Sequence, residues 1–139
     1  TSRAPTNYST RSDQDFVLLR YADILLMYAE AQNEAGGPGQ DVYDAVNAVR
    51  ARKSVQMPPL PAGLSQAEMR ERIRRERRVE FALEGTRYFD LLRWRTAKEV
   101  LTAIINPGGQ ARQFTDKNYL WPFPQSEVDV YGIEQNTGY

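Results

Sequence analysis

The feature that most constrains the fold is a dense run of charged residues in the middle of the chain. Between Arg70 and Glu80, nine of eleven residues are charged, six Arg and three Glu. The run lies in a predicted helix that we take to be partly buried, with its Arg and Glu side chains paired to charges on neighbouring helices. Ser65 and Glu68 form a capping box just before the run. The predicted helix ends at Gly85.

Two more helices are predicted before this run. Residues 16–35 carry apolar side chains at spacings of three and four, which predicts a mostly buried helix. The glycine- and proline-rich stretch 36–39 ends that helix, since proline cannot continue its hydrogen bonds. A second helix is predicted over residues 41–54. Because the turn between them is short, we expect the pair to pack antiparallel.

The prolines and glycines in the rest of the chain divide it into five segments, which we predict to form one all-α domain. Three prolines within residues 57–63 exclude helix there, and the aromatic and proline-rich stretch 119–124 suits an extended segment that buries its rings against helices. A break is expected near Thr96, and a short helix from Ser126 to before Gly132. The segments are an irregular lead at 1–15, a helix pair at 16–54, a linker at 55–64, a charged helix pair at 65–105 and an extended tail at 106–139.

Composition removes several classes of function. The 139 residues contain no Cys and no His, so disulfides, thiolate metal sites, cysteine nucleophiles and the usual general base are absent. Eighteen basic residues balance eighteen acidic ones, which argues against a chain-wide basic surface for nucleic acid. No apolar run reaches membrane-spanning length. We therefore predict no metal, no cofactor and no nucleic-acid partner.

The charged helix allows three interpretations. Fifteen Arg against three Lys would suit phosphate binding, but the interleaved glutamates would repel phosphate. Glu76, Glu80 and Glu84 have the spacing of a carboxylate face, yet adjacent arginines would keep them ionised and leave no catalytic acid. We favour a structural network of ion pairs with neighbouring helices. Its predicted members are Arg20, Asp23, Glu30, Arg77, Arg78, Glu80, Glu84, Arg87, Asp90 and Arg93.

Aromatic side chains are the other candidate for binding. They make up 11% of the chain, and such rings stack on sugars or anchor peptides. Most of them occur at helical spacing or beside the tail prolines, so we predict that they pack in the core. Tyr8 lies in the polar lead without apolar neighbours. With Arg11, it is our candidate for contact with a ligand.

Five stretches together resemble the C-terminal part of the SusD/RagB family. They are LRYADILLMYAEA at 19–31, NAVRAR at 47–52, RERRVEFALEGTRYFDLLRW at 75–94, YLWPFPQSE at 119–127 and QNTGY at 135–139. The motifs occur in the family's order over almost the whole chain. Thr137 stands where the family commonly has proline, which affects only a local turn.

The resemblance implies a non-catalytic, surface-exposed lipoprotein of the bacterial outer membrane, built on tetratricopeptide-like helix pairs. Such proteins bind glycans or peptides and cap a SusC-type TonB-dependent transporter. Family members carry a signal peptide and a lipidated Cys that this sequence lacks, so we expect a piece of a longer protein. The family's ligand-contacting aromatics lie largely before these motifs, so no binding residue is carried over. The alternative function is a tetratricopeptide-like scaffold that binds only proteins.

Overall fold

The computed structural model describes residues 17–139, and its regular structure is helical. Within these residues there is no strand, only an isolated antiparallel bridge between Ile105 and Ala111. The predicted all-α fold is therefore confirmed. No helix in this part of the chain has the length and hydropathy needed to cross a membrane. The helices are α1 (Tyr21–Gly36), α2 (Gln40–Arg50), α3 (Gln66–Glu80), α4 (Thr86–Arg93), α5 (Ala97–Thr102), a 3-10 helix (Asp116–Tyr119) and α6 (Gln125–Tyr131).

The chain forms two compact units that meet in sequence between Glu76 and Arg77. In the first unit α1 and α2 pack against each other, as predicted for this helix pair. Gly37 ends α1 with φ +83° and ψ −175°, a backbone conformation that is essentially restricted to glycine. Its N–H donates to the Asn33 carbonyl at 3.0 Å. That all 139 residues fold as one domain stays a prediction.

The core of the first unit comes from one face of each helix. The buried side chains are Leu26, Ala29 and Asn33 of α1, Val42, Ala45, Val46 and Val49 of α2, and Met69 and Ile73 of α3. The prediction that α1 is mostly buried is wrong. Tyr21, for example, is 75% exposed. Periodicity identified the apolar positions of α1, but α1 buries only three of its residues.

The start of α3 agrees with the position predicted from the sequence, whereas its end does not. Ser65 N–H donates to Glu68 Oε2 at 2.8 Å and Glu68 N–H donates to Ser65 Oγ at 3.3 Å, which confirms the capping box. The helix ends at Glu80, before the predicted Glu84. The reason is Leu83, whose φ of +69° is incompatible with a continuing right-handed helix.

Helices α4 and α5 form the second unit with the start of the tail. Leu91, Ala97 and Phe114 make its buried cluster, and the Tyr119 ring packs edge-on against Phe114 with centroids 5.1 Å apart. The expected break near Thr96 separates α4 from α5. This packing brings the aromatic start of the tail against the short helices.

The rest of the tail is held mainly through its backbone. The Gln135 side chain both accepts from Phe123 N–H at 2.8 Å and donates to its carbonyl at 2.9 Å. Asn136 Nδ2 donates to the Trp121 carbonyl. The predicted short helix is present as α6 and ends at Gly132. The prediction that the tail rings are buried is wrong for Trp121, which is 74% exposed because hydrogen bonds and not ring packing fix this segment.

Candidate functional site

A buried carboxylate paired with two arginines is the strongest polar cluster of the second unit. Arg77 Nε donates to Asp90 Oδ2 at 3.0 Å and its Nη2 donates to Oδ1 at 3.2 Å, while Arg93 Nε donates to Oδ1 at 2.9 Å. The Arg77 and Asp90 side chains are each 5% exposed. The Arg77 guanidinium also lies 5.1 Å from the centroid of the buried Phe81 ring. This geometry joins α3 to α4, and both Asp90 oxygens accept hydrogen bonds from guanidinium groups.

The other predicted members of the ion network occupy less buried positions. Arg78 and Glu84 are exposed, and the Arg87 guanidinium lies over the Trp94 ring at 5.7 Å. Arg20, Asp23 and Glu30 belong to the first unit. The half-buried members are Arg20, Asp23, Glu30, Glu80 and Arg87. The structural role of these seven residues stays a prediction.

Two ion pairs of the first unit were missing from the predicted network. Arg50 Nη1 donates to Glu76 Oε2 at 2.6 Å, with side chains 14% and 13% exposed, and its Nε donates to the Pro58 carbonyl. Arg70 binds both carboxylate oxygens of Glu34 at 2.6 Å. Hydrogen bonding from Arg70 lowers the pKa of Glu34 below its usual range. The partners are far apart in sequence, so no local pattern could have identified them.

Asp41 connects the two helices of the first pair. Tyr28 Oη and Gln32 Nε2 both donate to Asp41 Oδ2, at 2.9 and 3.0 Å. The hydrogen bonds from Gln32 and then Tyr28 lower the pKa of Asp41. The bond to Asp41 in turn raises the pKa of Tyr28. A surface carboxylate thereby fixes the position of a tyrosine ring on α1.

The second unit contains an open cleft of about 520 Å³ beside α5 and the 3-10 helix. Its lining residues are Arg95, Lys98, Glu99, Asp116 and Tyr119. Lys98 Nζ lies 3.3 Å from Asp116 Oδ1 in an exposed ion pair, and the Arg95 guanidinium lies 4.6 Å from the centroid of the Tyr119 ring. One aromatic ring among several donors and acceptors is a chemistry that suits a hydroxyl-rich ligand. No local pattern in the sequence indicates this cleft.

The candidate contacts Tyr8 and Arg11 lie outside the described residues, so their role stays a prediction. Within residues 17–139, no group of three or more acidic side chains stands close enough to hold a metal ion. The described polar clusters therefore comprise ion pairs, a tyrosine–aspartate bridge and one open cleft.

Comparison with known proteins gives one consistent result. The model of the SusD family matches residues 2–139. The SusD-like protein P2 of Formosa agariphila is 34% identical over 130 residues, covering 88% of this chain and 25% of the relative. The SusD-like protein P38 of the same organism is 32% identical over 136 residues, covering 91% of this chain and 25% of the relative. The chain thus spans about a quarter of the length of these relatives.

Solved structures agree with this result. A SusD-like protein of Bacteroides fragilis superposes with a TM-score of 0.76 at 36% identity, covering 89% of this chain and 26% of that one. A SusD-like carbohydrate-binding protein of the same organism superposes with a TM-score of 0.70 at 36% identity, covering 81% of this chain and 27% of that one. The likeness therefore extends from sequence motifs to three-dimensional structure.

Proposed function

This chain belongs to the SusD family, and we propose that it forms the C-terminal helical part of a non-catalytic nutrient-binding protein. The observation that carries the proposal is the family match over residues 2–139, together with the likeness to a SusD-like carbohydrate-binding protein. The nutrient is a glycan or a peptide, bound by aromatic stacking and a few hydrogen bonds.

The role proposed for this chain is mainly architectural. The Arg77–Asp90–Arg93 cluster and the Arg50–Glu76 pair fix side chains in partly or fully desolvated positions. Desolvated ion pairs add little net stability but impose a defined geometry, because breaking one leaves a buried charge without compensation. Such a scaffold would hold a ligand-binding face and a transporter-facing surface in register.

The cleft of the second unit is our candidate for a ligand contact within the described residues. Lys98 and Asp116 are exposed and available to a ligand's hydroxyl groups. Tyr8 and Arg11 are the candidates in the lead segment. We further propose a SusC-type TonB-dependent transporter as the partner, and a location at the cell surface through a lipid anchor carried by a different part of the protein.

Calorimetric titration of the full-length polypeptide with polysaccharides, oligosaccharides and peptides tests the proposal. We expect saturable binding of one class and unchanged ligand after prolonged incubation. Hydrolysis of any ligand without added enzyme would contradict the non-catalytic function.

Paired lysine variants test the cleft. If it contacts the ligand, Lys98→Ala weakens binding about threefold or more, the expected loss for one hydrogen bond. Lys53→Ala, at an exposed position of the first unit that does not line the cleft, serves as the matched control. Equal affinities for the two variants would exclude Lys98 from the contact, and Tyr8→Ala then becomes the next test.

The packing of α1 on α2 favours one alternative, a tetratricopeptide-like scaffold that binds only proteins. Thermal melting separates the two functions, since a ligand that binds the native state raises the melting temperature. If a transporter is recovered from solubilised outer membranes but no glycan or peptide changes the melting temperature, the scaffold function is the correct one.

A further inference from the structure

Arg95 has a special position among the charged residues of the cleft in the second unit. The other cation of the cleft, Lys98, is paired with Asp116, its Nζ lying 3.3 and 3.4 Å from the two carboxylate oxygens. Within residues 17–139, no carboxylate is paired with the Arg95 guanidinium, and Arg95 is exposed. A guanidinium carries its N–H donors in a planar fork that matches a carboxylate. The cleft therefore contains a cation whose donors are available to an anionic ligand.

The Tyr119 ring holds this guanidinium in place. Arg95 Cζ lies 4.6 Å from the centroid of the ring, a cation–π contact. The ring is itself fixed, because Phe114 packs edge-on against it and its hydroxyl accepts from the Lys98 backbone N–H at 3.4 Å. A side chain that is held before binding loses less conformational entropy when a ligand arrives. The arginine also covers one face of the ring, so a sugar cannot stack there and charge becomes the main contact on this side.

The backbone of Arg95 adopts a conformation that favours glycine. Its φ is +57°, in the left-handed region, at the turn that follows α4. The turn is closed by two hydrogen bonds of 3.0 Å, from Arg95 N–H to the Leu92 carbonyl and from Thr96 N–H to the Leu91 carbonyl. Glycine is the usual residue where a helix ends in the left-handed conformation. An arginine in a strained conformation beside a cleft is typical of a residue retained for binding.

Glu99 and Asp116 supply the acceptors of the cleft. Both are exposed, and an ionised carboxylate accepts hydrogen bonds but donates none. Sugar hydroxyls are donors that suit them, whereas the side-chain carboxylates of an acidic peptide would meet like charges. A ligand carboxylate at Arg95 is also repelled by Glu99, but solvent and salt screen exposed charges, while a charge-assisted hydrogen bond persists. The cleft thus combines one binding group for an anion with acceptors for hydroxyls.

We propose that the cleft binds a glycan that carries carboxylates. The carboxylate of a uronate residue pairs with the Arg95 guanidinium, and hydroxyl groups of the sugar donate to Asp116 and Glu99. This assignment rests on the proposed nutrient-binding function, of which it names the chemical class of ligand. A neutral glycan would leave the guanidinium without its partner, so the cleft should discriminate between ligands by charge.

Calorimetric titration with ligands that differ only in charge tests the proposal. The full-length polypeptide is titrated with oligosaccharides of galacturonate, glucuronate and mannuronate, and with the methyl ester of each, in which the carboxylate is neutral. We expect at least one acid form to bind about tenfold more tightly than its ester, as for a hydrogen bond between charged groups. The ratio of the two affinities should decrease as salt is added, because salt screens exposed ion pairs.

Three variants assign the preference to a residue. Arg95→Gln should reduce the ratio to about one, since glutamine has no charge to pair with the ligand carboxylate. The ester should still bind this variant, which shows that the variant is folded. Arg112→Gln, at an exposed position of the same unit that does not line the cleft, should leave the ratio within about twofold of its original value. Glu99→Gln should increase the ratio, because it removes a charge that repels the ligand carboxylate.

Several results would overturn the proposal. Acid forms that bind no more tightly than their esters exclude recognition by charge, and a preference that survives Arg95→Gln assigns it to another residue. Binding of polyglutamate that is lost in Arg95→Gln, with no uronate bound, would assign the cleft to acidic peptides. If neutral glycans bind and no acid is preferred, nutrient binding stands and only the uronate assignment fails. If neither glycan nor peptide binds, the proposed function fails as well.

Discussion

Replacing Asp90 with alanine should destabilise the second unit more than any surface substitution can. The variant removes three hydrogen bonds and leaves the Arg77 guanidinium, 5% exposed, without its carboxylate. Removing one partner of a buried pair costs about 3–5 kcal/mol, because the remaining charge stays desolvated and loses this compensating charge. The corresponding fall in melting temperature is at least about 10 °C for a unit of this size.

Tryptophan emission in a urea titration measures this effect where it occurs. The two tryptophans, Trp94 and Trp121, both belong to the second unit, so their emission reports its unfolding. Asp129→Ala is the matched control, because Asp129 is exposed on α6 of the same unit and accepts a hydrogen bond from Gln125, one helical turn earlier. We expect the control to change the free energy of unfolding by less than about 0.5 kcal/mol.

A double variant separates the loss of a charge pair from the loss of packing. Arg77→Met combined with Asp90→Leu removes both charges and fills their space with apolar atoms, which is often neutral or stabilising at buried pairs. It should therefore be more stable than Asp90→Ala alone. If Asp90→Ala unfolds at the same urea concentration as Asp129→Ala, the Arg77–Asp90 pair is not desolvated in solution and the structural argument fails.

Three further predictions concern single positions. Gly37→Ala should lower stability by about 1–3 kcal/mol because its positive φ is strained for any residue with a Cβ, whereas Gly36→Ala, at a helical position without a positive φ, should not lower it in the same denaturation assay. Because the pKa of Asp41 is lowered in the folded state, its ionised form stabilises that state at pH values above about 4, and this stabilisation is lost as the pH falls further. Gln32→Ala removes the largest cause of the lowered pKa, so acid unfolding followed by circular dichroism should show a shallower loss of stability in this variant. Gln135→Ala should make the tail more sensitive to chymotrypsin, and an unchanged cleavage rate would show that the amide does not hold it.

Local signals in the sequence predicted the end of α1, the start of α2 and the start of α3 to within one residue, whereas α1 begins five residues after the predicted residue 16 and α2 ends four residues before the predicted residue 54. The hydrogen bonds of the Ser65–Glu68 capping box form between residues three positions apart, so the local sequence is enough to predict them. Gly37 ends α1 through its own backbone conformation, which needs no distant partner. The end of α3 was misplaced because the chain turns at Leu83, a residue whose side chain gives no sign of a positive φ.

Features that depend on distant partners were predicted only in part. Asp90 and Arg77 are thirteen residues apart and were both expected in the ion network, but the sequence did not indicate that Asp90 would be the shared acceptor. The Arg50–Glu76 pair joins residues twenty-six positions apart and was missed. Periodicity on α1 identified apolar faces correctly, but it cannot tell which face has a partner within the chain.

The Gln135 amide has a consequence for how the protein behaves at high concentration. By accepting from the N–H and donating to the C=O of Phe123, it satisfies an extended residue in the way that a neighbouring β-strand would. Extended segments with open backbone groups are templates on which other molecules add strands and aggregate. With those groups occupied by a side chain, Phe123 offers no template, and the flanking Pro122 and Pro124 have no N–H to donate to an added strand.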